Sequence, residues 1–164
     1  IALQSLKPIE NLINLEELYC DNSRITTLAP LRKLKKLKKI SFGSKVNKFS
    51  VVADLVNLEE LYIKGCKQVP DLSNLKNLKK LSITENELVI VSSSHRITNI
   101  DFLKNVKEME FLDFNLTSYR GSLQVLNDLP HLKAVTLPRV SRTLVSAFKK
   151  ISKNCVLINS FEFE

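Results

Sequence analysis

The sequence predicts an α/β solenoid: short parallel strands stack into one curved sheet, and each strand returns to the next through a short 3₁₀ or irregular segment. Two observations carry this. Seven times an apolar residue is followed at fixed offsets by two more, in the pattern L-x-x-L-x-L, with starts 20 to 31 residues apart. Between these units runs a second rhythm of one apolar residue in every three, as in Ile25, Leu28, Leu31, Leu34 and Leu37, and again in Val46, Phe49, Val52, Leu55 and Leu58.

The units begin at Leu15, Leu37, Leu58, Leu78, Met109, Leu132 and, more weakly, Cys155, in steps of 22, 21, 20, 31, 23 and 23. Within L-x-x-L-x-L the alternating apolar residues face one side of a strand and the residues between them face the other. One unit cannot bury such an apolar edge alone, whereas strands stacked about 4.8 Å apart form a continuous core. The fullest unit runs from Leu78 to Leu88 and matches L-x-x-L-x-L-x-x-N-x-L at every specified position. Its asparagine slot, Asn86, is filled by Ser23, Cys66 and Thr117 elsewhere, where a buried turn needs a side-chain partner for free backbone groups.

The period of three between the units fits neither a free amphipathic α-helix nor a strand. It fits a 3₁₀ return segment that lays one edge on the core. From about Gly121 the return segments are expected to become helical: Leu123, Leu126 and Leu129, then Leu144, Val145, Phe148 and Ile151, read as amphipathic α-helix, the second opening behind Ser141 or Thr143. The stretch 155–164 reads as a last strand with a charged outer edge, serving as a C-terminal cap.

With these units the chain resembles the leucine-rich repeat proteins of the 22-residue class shared by the phosphatase 1 regulatory subunit and the bacterial internalins. The resemblance covers Ile1 to about Ile158, and it implies the solenoid fold together with a role in surface recognition. No motif carries a particular partner over. The departures are a consensus asparagine in one unit only, a shortened third unit and an insertion in the fourth.

The 164 residues read as a single domain of about seven units. One period before Leu15, the residues Leu3, Leu6, Ile9 and Leu12 occupy return-segment positions, so the first unit reads as truncated and the chain as a fragment or a processed product. With 44% hydrophobic residues, no tryptophan and no apolar run near the roughly 18 residues of a membrane span, the composition is that of a soluble globular domain. Cys20 at a core slot, Cys66 at an asparagine slot and Cys155 in the last unit make no disulfide framework. This favours a reducing, cytoplasmic setting, with a bacterial surface or secreted protein as the alternative. The abundance of Lys, Asn and Ile points to a bacterial source.

Catalytic chemistry has no foothold. Gly43, Gly65 and Gly121 are isolated and form no phosphate-binding loop, and His131, after Pro130, reads as an exposed polar residue. His95 lies beside Ser92, Ser93 and Ser94, but nothing orients it as a base or builds an oxyanion site. No Cys and His residues have metal-ligand spacing, so neither a metal nor another cofactor is expected.

The register also names the residues of the open sheet face. The third position of successive units is Glu17, Lys39, Glu60, Lys80, Phe111 and Ala134; the fifth is Tyr19, Ser41, Tyr62, Ser82, Asp113 and Thr136; the seventh is Asp21, Gly43, Lys64, Thr84, Asn115 and Pro138. Neighbouring Glu and Lys in the third column are placed to pair, while Tyr19, Tyr62 and Phe111 are costly to leave in water and are typical of binding hot spots. The expected protein-binding residues are therefore Tyr19, Lys39, Tyr62, Lys64, Lys80, Phe111 and Asp113.

The net charge of +8 raises a rival site, because Arg32, Lys33, Lys35, Lys36, Lys38 and Lys39 place six cations in eight residues. Such a run serves nucleic acid or an acidic partner. Every one of them, however, fills a position between Leu31, Leu34, Leu37 and Ile40, where a solvated face is expected in any case, and no aromatic residues interleave the run for base stacking. The remaining asymmetry is the insertion at 89–96, which maps to a loop on one rim. The function expected from the sequence is non-enzymatic binding of a protein partner through the concave strands. A toxin-neutralising or scaffold role, a nucleic-acid binder and a surface adhesin are the alternatives, and no small-molecule substrate is expected.

Overall fold

Among the described residues seven strands form one sheet in sequence order: β1 (Glu17–Cys20), β2 (Lys39–Phe42), β3 (Glu60–Lys64), β4 (Lys80–Thr84), β5 (Phe111–Asn115), β6 (Ala134–Thr136) and β7 (Val156–Ile158). The structure is a computed structural model, and it describes residues 4–21, 23–43, 45–65, 71–84, 100–115, 121–136 and 155–158. Every neighbouring pair of strands is parallel. Each of the first six begins two residues after the leading apolar residue of its unit, so Glu17, Lys39, Glu60, Lys80, Phe111 and Ala134 stand side by side.

One hydrogen-bond arrangement fixes this register five times over. The carbonyl at the second position of a unit accepts two successive amides of the next: Glu16 from Lys38 and Lys39, Lys38 from Glu59 and Glu60, Glu59 from Lys79 and Lys80, Lys79 from Glu110 and Phe111, and Glu110 from Lys133 and Ala134. The sheet runs without a break past the long 31-residue step, since β4 pairs directly with β5. The insertion at 89–96 lies outside the described residues.

The return segments show why the apolar period is three. They are 3₁₀ helices at Lys7–Ile9, Ala29–Lys33, Ser50–Asp54, Asp101–Asn105 and Gln124–Asp128. Their hydrogen bonds run between the apolar residues themselves: Leu31 to Leu28, Leu34 to Leu31 and Leu37 to Leu34, each amide donating to the carbonyl three residues back at 2.9 to 3.2 Å. With three residues per turn the same edge faces inward at every turn, so Ile25, Leu28, Leu31, Leu34 and Leu37 are all buried. Four segments open on the same small device, a side-chain oxygen accepting the amide two residues on: Ser5 from Lys7, Thr27 from Ala29, Asp71 from Ser73 and Ser122 from Gln124.

Two expectations are corrected. Leu123, Leu126 and Leu129 do not lie on an α-helix; Gln124–Asp128 is a 3₁₀ helix like the earlier segments, because a spacing of three suits three residues per turn better than 3.6. The second expected helix, around 144–151, is outside the described residues, as are 159–164 of the expected cap. The seventh unit is also shifted by one. Ala134 pairs with Val156 and Val135 with Leu157, which puts Cys155 at the second position of its unit instead of the first. The amide of Val156 confirms the shift by donating to the carbonyl of Lys133, the same position that holds the five earlier registers.

The alternating strand residues and the return leucines form one core, from Leu6 to Val135, in which Phe42 packs against Phe49 with ring centroids 5.7 Å apart. Burial of each such side chain contributes roughly 1.5–3 kcal/mol relative to exposure. At the first asparagine slot Ser23 acts as expected: its hydroxyl donates to the Cys20 carbonyl at 2.7 Å and accepts from the Ile25 amide at 3.4 Å. Asn86, Cys66 and Thr117 lie outside the described residues. Among the described residues no helix is long and apolar enough to cross a membrane.

Candidate interaction face

With its leucines turned inward, the sheet presents the third, fifth and seventh positions of its units to the other side. Lys39, on β2, is held at the centre of the first half of that face: its Nζ lies 2.9 Å from Glu60 Oε2 and 5.6 Å from the ring centroids of both Tyr19 and Tyr62. Glu60 is shared three ways, taking Lys39, Lys80 at 2.8 Å and the Tyr62 hydroxyl at 2.8 Å. The Tyr19 hydroxyl donates to Glu17 at 2.7 Å. Farther along, the Phe111 ring stands between Lys80 and Lys133, each 5.9 Å from its centroid. Rings and ammonium groups therefore alternate from β1 to β6, an arrangement that favours both because the ring faces carry negative charge.

The titration behaviour follows from these contacts. Burial alone would raise the Glu60 carboxyl, but hydrogen bonds from Lys80, Lys39 and Tyr62 outweigh it and hold the group at about 2. Burial, then the hydrogen bond to Glu60, pushes the Tyr62 phenol up to about 12. Hydrogen bonds to Glu60 and Tyr19 hold the Lys39 ammonium well above its ordinary range. All three groups keep a single charge state across physiological pH.

At the seventh position a missing side chain matters. Gly43 stands between Asp21 and Lys64 in the sheet, and across it Lys64 Nζ reaches Asp21 Oδ1 at 3.4 Å. The Ser41 hydroxyl donates to the same Asp21 oxygen at 2.5 Å. Ser41 is buried, so it belongs beneath the face and not on the open surface where the repeat position put it. Tyr19 and Tyr62 stand in register on either side of it. Asp113, on β5, accepts from Ser82 at 2.8 Å.

The predicted residues thus fall into two groups. Tyr19, Lys39, Tyr62, Lys80 and Phe111 form one connected belt, with Lys64 and Asp113 at separate polar clusters on the same face. Tyr19 (57% exposed) and Phe111 (40%) keep the most ring surface in water, and Tyr62 is half-buried. The basic run is split by the fold: Lys39 joins the belt, Lys38 pairs with Glu16 at 2.7 Å, and Arg32, Lys33, Lys35 and Lys36 stay on the return turn.

A second charge ladder went unread in the sequence although it was visible there. The second unit position alternates Glu16, Lys38, Glu59, Lys79, Glu110 and Lys133, and the pairs close at 2.7 Å for Lys38 and Glu16, 2.8 Å for Lys79 and Glu59, and 2.7 Å for Lys133 and Glu110. The signal was the doubled pattern Glu-Glu, Lys-Lys, Glu-Glu, Lys-Lys across the first four units. Among the described residues no cluster of His, Cys, Asp and Glu is arranged to hold a metal ion.

Solved structures share this architecture. The internalin inlC2 of Listeria monocytogenes superposes with a TM-score of 0.75 at 22% identity, over 97% of this chain and 67% of its own. The chain has the leucine-rich repeat fold. The internalin inlF of the same organism gives a TM-score of 0.69 at 22% identity over 94% of this chain, which spans 44% of the inlF chain. The ectodomain of the Arabidopsis thaliana receptor kinase GASSHO1/SCHENGEN3, solved with CASPARIAN STRIP INTEGRITY FACTOR 2, gives 0.52 at 15% identity, over 93% of this chain and 22% of its own. Comparison of the sequence with known family profiles and with curated proteins finds no match.

Proposed function

We propose that this leucine-rich repeat chain is a non-enzymatic protein-interaction module whose partner docks on the open sheet face, centred on Tyr19, Lys39, Tyr62, Lys80 and Phe111. One observation carries the reading. The face leaves aromatic surface at Tyr19 and Phe111 in water while its lysines and its central carboxylate are already paired with one another. A partner can then cover the rings without stripping unpaired charges of water, and the costliest part of burying a polar surface is reduced. The similar architecture of the GASSHO1/SCHENGEN3 ectodomain, solved in complex with CASPARIAN STRIP INTEGRITY FACTOR 2, and of the plant peptide hormone receptor RGFR1, solved in complex with RGF2, supports the same reading.

Affinity capture from native lysate with the wild-type chain and with a Tyr19→Ala/Phe111→Ala variant tests it. Rings at the centre of an interface typically account for about 2 kcal/mol or more each when truncated, so the partner captured by the wild type is expected to be lost at an unchanged urea midpoint. Undiminished capture by the folded variant rejects the open face as the binding site.

A further inference from the structure

Two groups of lysines in the first six units are held differently. Those at the start of a strand or just before it face carboxylates: Lys38, Lys39, Lys79, Lys80 and Lys133 each lie 2.7 to 2.9 Å from one. Those on the second return turn meet only neutral oxygen. Lys33 reaches Asn11 Oδ1 at 3.5 Å, Lys35 the Asp54 carbonyl at 3.1 Å and Lys36 Asn14 Oδ1 at 2.8 Å, and Arg32 makes no ion pair or hydrogen bond among the described residues. These bonds orient three ammonium groups, and with Arg32 they place four cations along one short edge, none of them in an ion pair among the described residues, although the charge of Lys36 also acts on Glu16.

That edge is also apolar. Ile13 (57% exposed) lies between Asn11 and Asn14, the two residues that hold Lys33 and Lys36. Val56 (48% exposed) lies between Asp54 and Asn57, which bond the side chain and the carbonyl of Lys35. Two aliphatic side chains therefore flank Lys35 on the neighbouring turns, at the unit position that Lys35 itself fills. An alternation of fixed cations and exposed aliphatic groups is complementary to a chain that alternates carboxylates with apolar side chains.

We propose that this edge is a second docking surface, distinct from the open face, and that its occupant is an acidic polypeptide segment of a partner protein in which Asp or Glu alternates with aliphatic residues. The carboxylates meet Arg32, Lys33, Lys35 and Lys36, and the apolar side chains cover Ile13 and Val56. Nucleic acid matches the charge but has no use for two aliphatic groups, and no aromatic ring interleaves these cations as a platform for successive bases. A lipid surface is matched poorly, because one short turn offers neither an amphipathic helix nor an aromatic anchor.

The probe is a short labelled peptide in which glutamate alternates with leucine, titrated in parallel with an all-glutamate peptide, a single-stranded oligonucleotide and phosphatidylserine vesicles. The wild-type chain is expected to bind the mixed peptide at least about tenfold more tightly than the other three, with affinity falling as salt rises. Lys35→Glu/Lys36→Glu should abolish that binding, and Ile13→Ser/Val56→Ser should weaken it about tenfold, whereas Tyr19→Ala/Phe111→Ala on the open face should leave it unchanged. Arg32→Gln/Lys33→Gln, which adds no carboxylate, serves as a milder variant should the charge reversal unfold the chain. The proposal is overturned if the mixed peptide fails to bind at low salt, if oligonucleotide or vesicles bind as tightly, if the Ile13/Val56 variant binds like wild type, or if the open-face variant loses the peptide.

Discussion

Glu60 on β3 and Lys39 on β2 meet at 2.9 Å, and through that contact the charge ladder of the open face is joined to its tyrosines. Because Glu60 also accepts from Lys80 and from Tyr62, three donors are tied to one carboxylate. A carboxyl held at about 2, below its ordinary 4.5, contributes stability that is fully present above pH 4.5 and is lost as pH falls toward 2. Solvent screening on an open sheet limits this to on the order of 1 kcal/mol. Glu60→Gln is expected to lower the urea midpoint at neutral pH, with the gap to wild type closing between about pH 4.5 and 2. Urea titrations of both proteins across that range decide it; a gap that stays constant down to pH 2 would show that Glu60 is not the ionised centre of the belt.

Gly43 is required for a reason that has nothing to do with a turn. A Cβ built at this position overlaps the carbonyl oxygen of Asp21 on the neighbouring unit, and that obstacle is backbone that cannot swing aside. Gly43→Ala must push apart two units whose spacing is set by ladder hydrogen bonds on both sides, a strain comparable to overpacking a core, about 1–3 kcal/mol. It should also unseat the reach of Lys64 across to Asp21. The expected outcome is a clearly lowered urea midpoint for Gly43→Ala beside no change for Ser50→Ala, an exposed position on a return segment. Equal midpoints would mean that the units slide apart at no cost.

These two positions mark how far the residues themselves could be read. The register of the open face was legible from Leu15 through Leu132, because a fixed-period strand repeat stacked in parallel permits few other pairings, and the columns Glu17, Lys39, Glu60, Lys80 and Tyr19, Ser41, Tyr62, Ser82 stand as the spacing implies. The return segments are legible for the same reason up to Leu123, beyond which the apolar spacing also fits an amphipathic α-helix while the chain forms a 3₁₀ helix. Burial within a column was not legible: Ser41 and Tyr19 share a position, yet one is covered and the other open, which depends on the size of the flanking side chains. That Lys36 faces Asn14 while Lys38 faces Glu16 follows from the same register, since each partner stands 22 residues earlier at the same unit position. The start of the seventh unit at Cys155 was misplaced because the weak apolar pattern there fits two registers, and only the ladder chooses between them.

Cys20 offers a readout of native packing. Its thiol is buried, donates to the Ser41 carbonyl at 3.3 Å, and is pushed up to about 11, first by burial and then by Asp21. A thiol that stays protonated at neutral pH and is shielded from reagent is a poor nucleophile. Alkylation of the folded chain at neutral pH, followed by peptide mass spectrometry, should leave Cys20 unmodified and should modify it fully once urea passes the unfolding midpoint. Rapid native modification of Cys20 would show that the end of β1 opens far below global unfolding.

The inward edge of the return segments makes a final, quantitative demand. Leu12 and Leu34 occupy the same position in consecutive units, 22 residues apart, but Leu34 is fully buried with stacked units on both sides while Leu12 is 51% exposed. If stacking, and not the repeat position itself, supplies the stability, truncation must cost very different amounts at the two sites. Leu34→Ala should cost about 2–5 kcal/mol, the usual range when a buried leucine is removed and a cavity remains. Leu12→Ala should cost less than about 1 kcal/mol, since little area is returned to water. Because nearest-neighbour interfaces hold a solenoid together, Leu34→Ala should also broaden the transition by uncoupling the units on either side. Urea unfolding followed by circular dichroism measures both midpoint and width, and similar losses at Leu12 and Leu34 would contradict the stacking account.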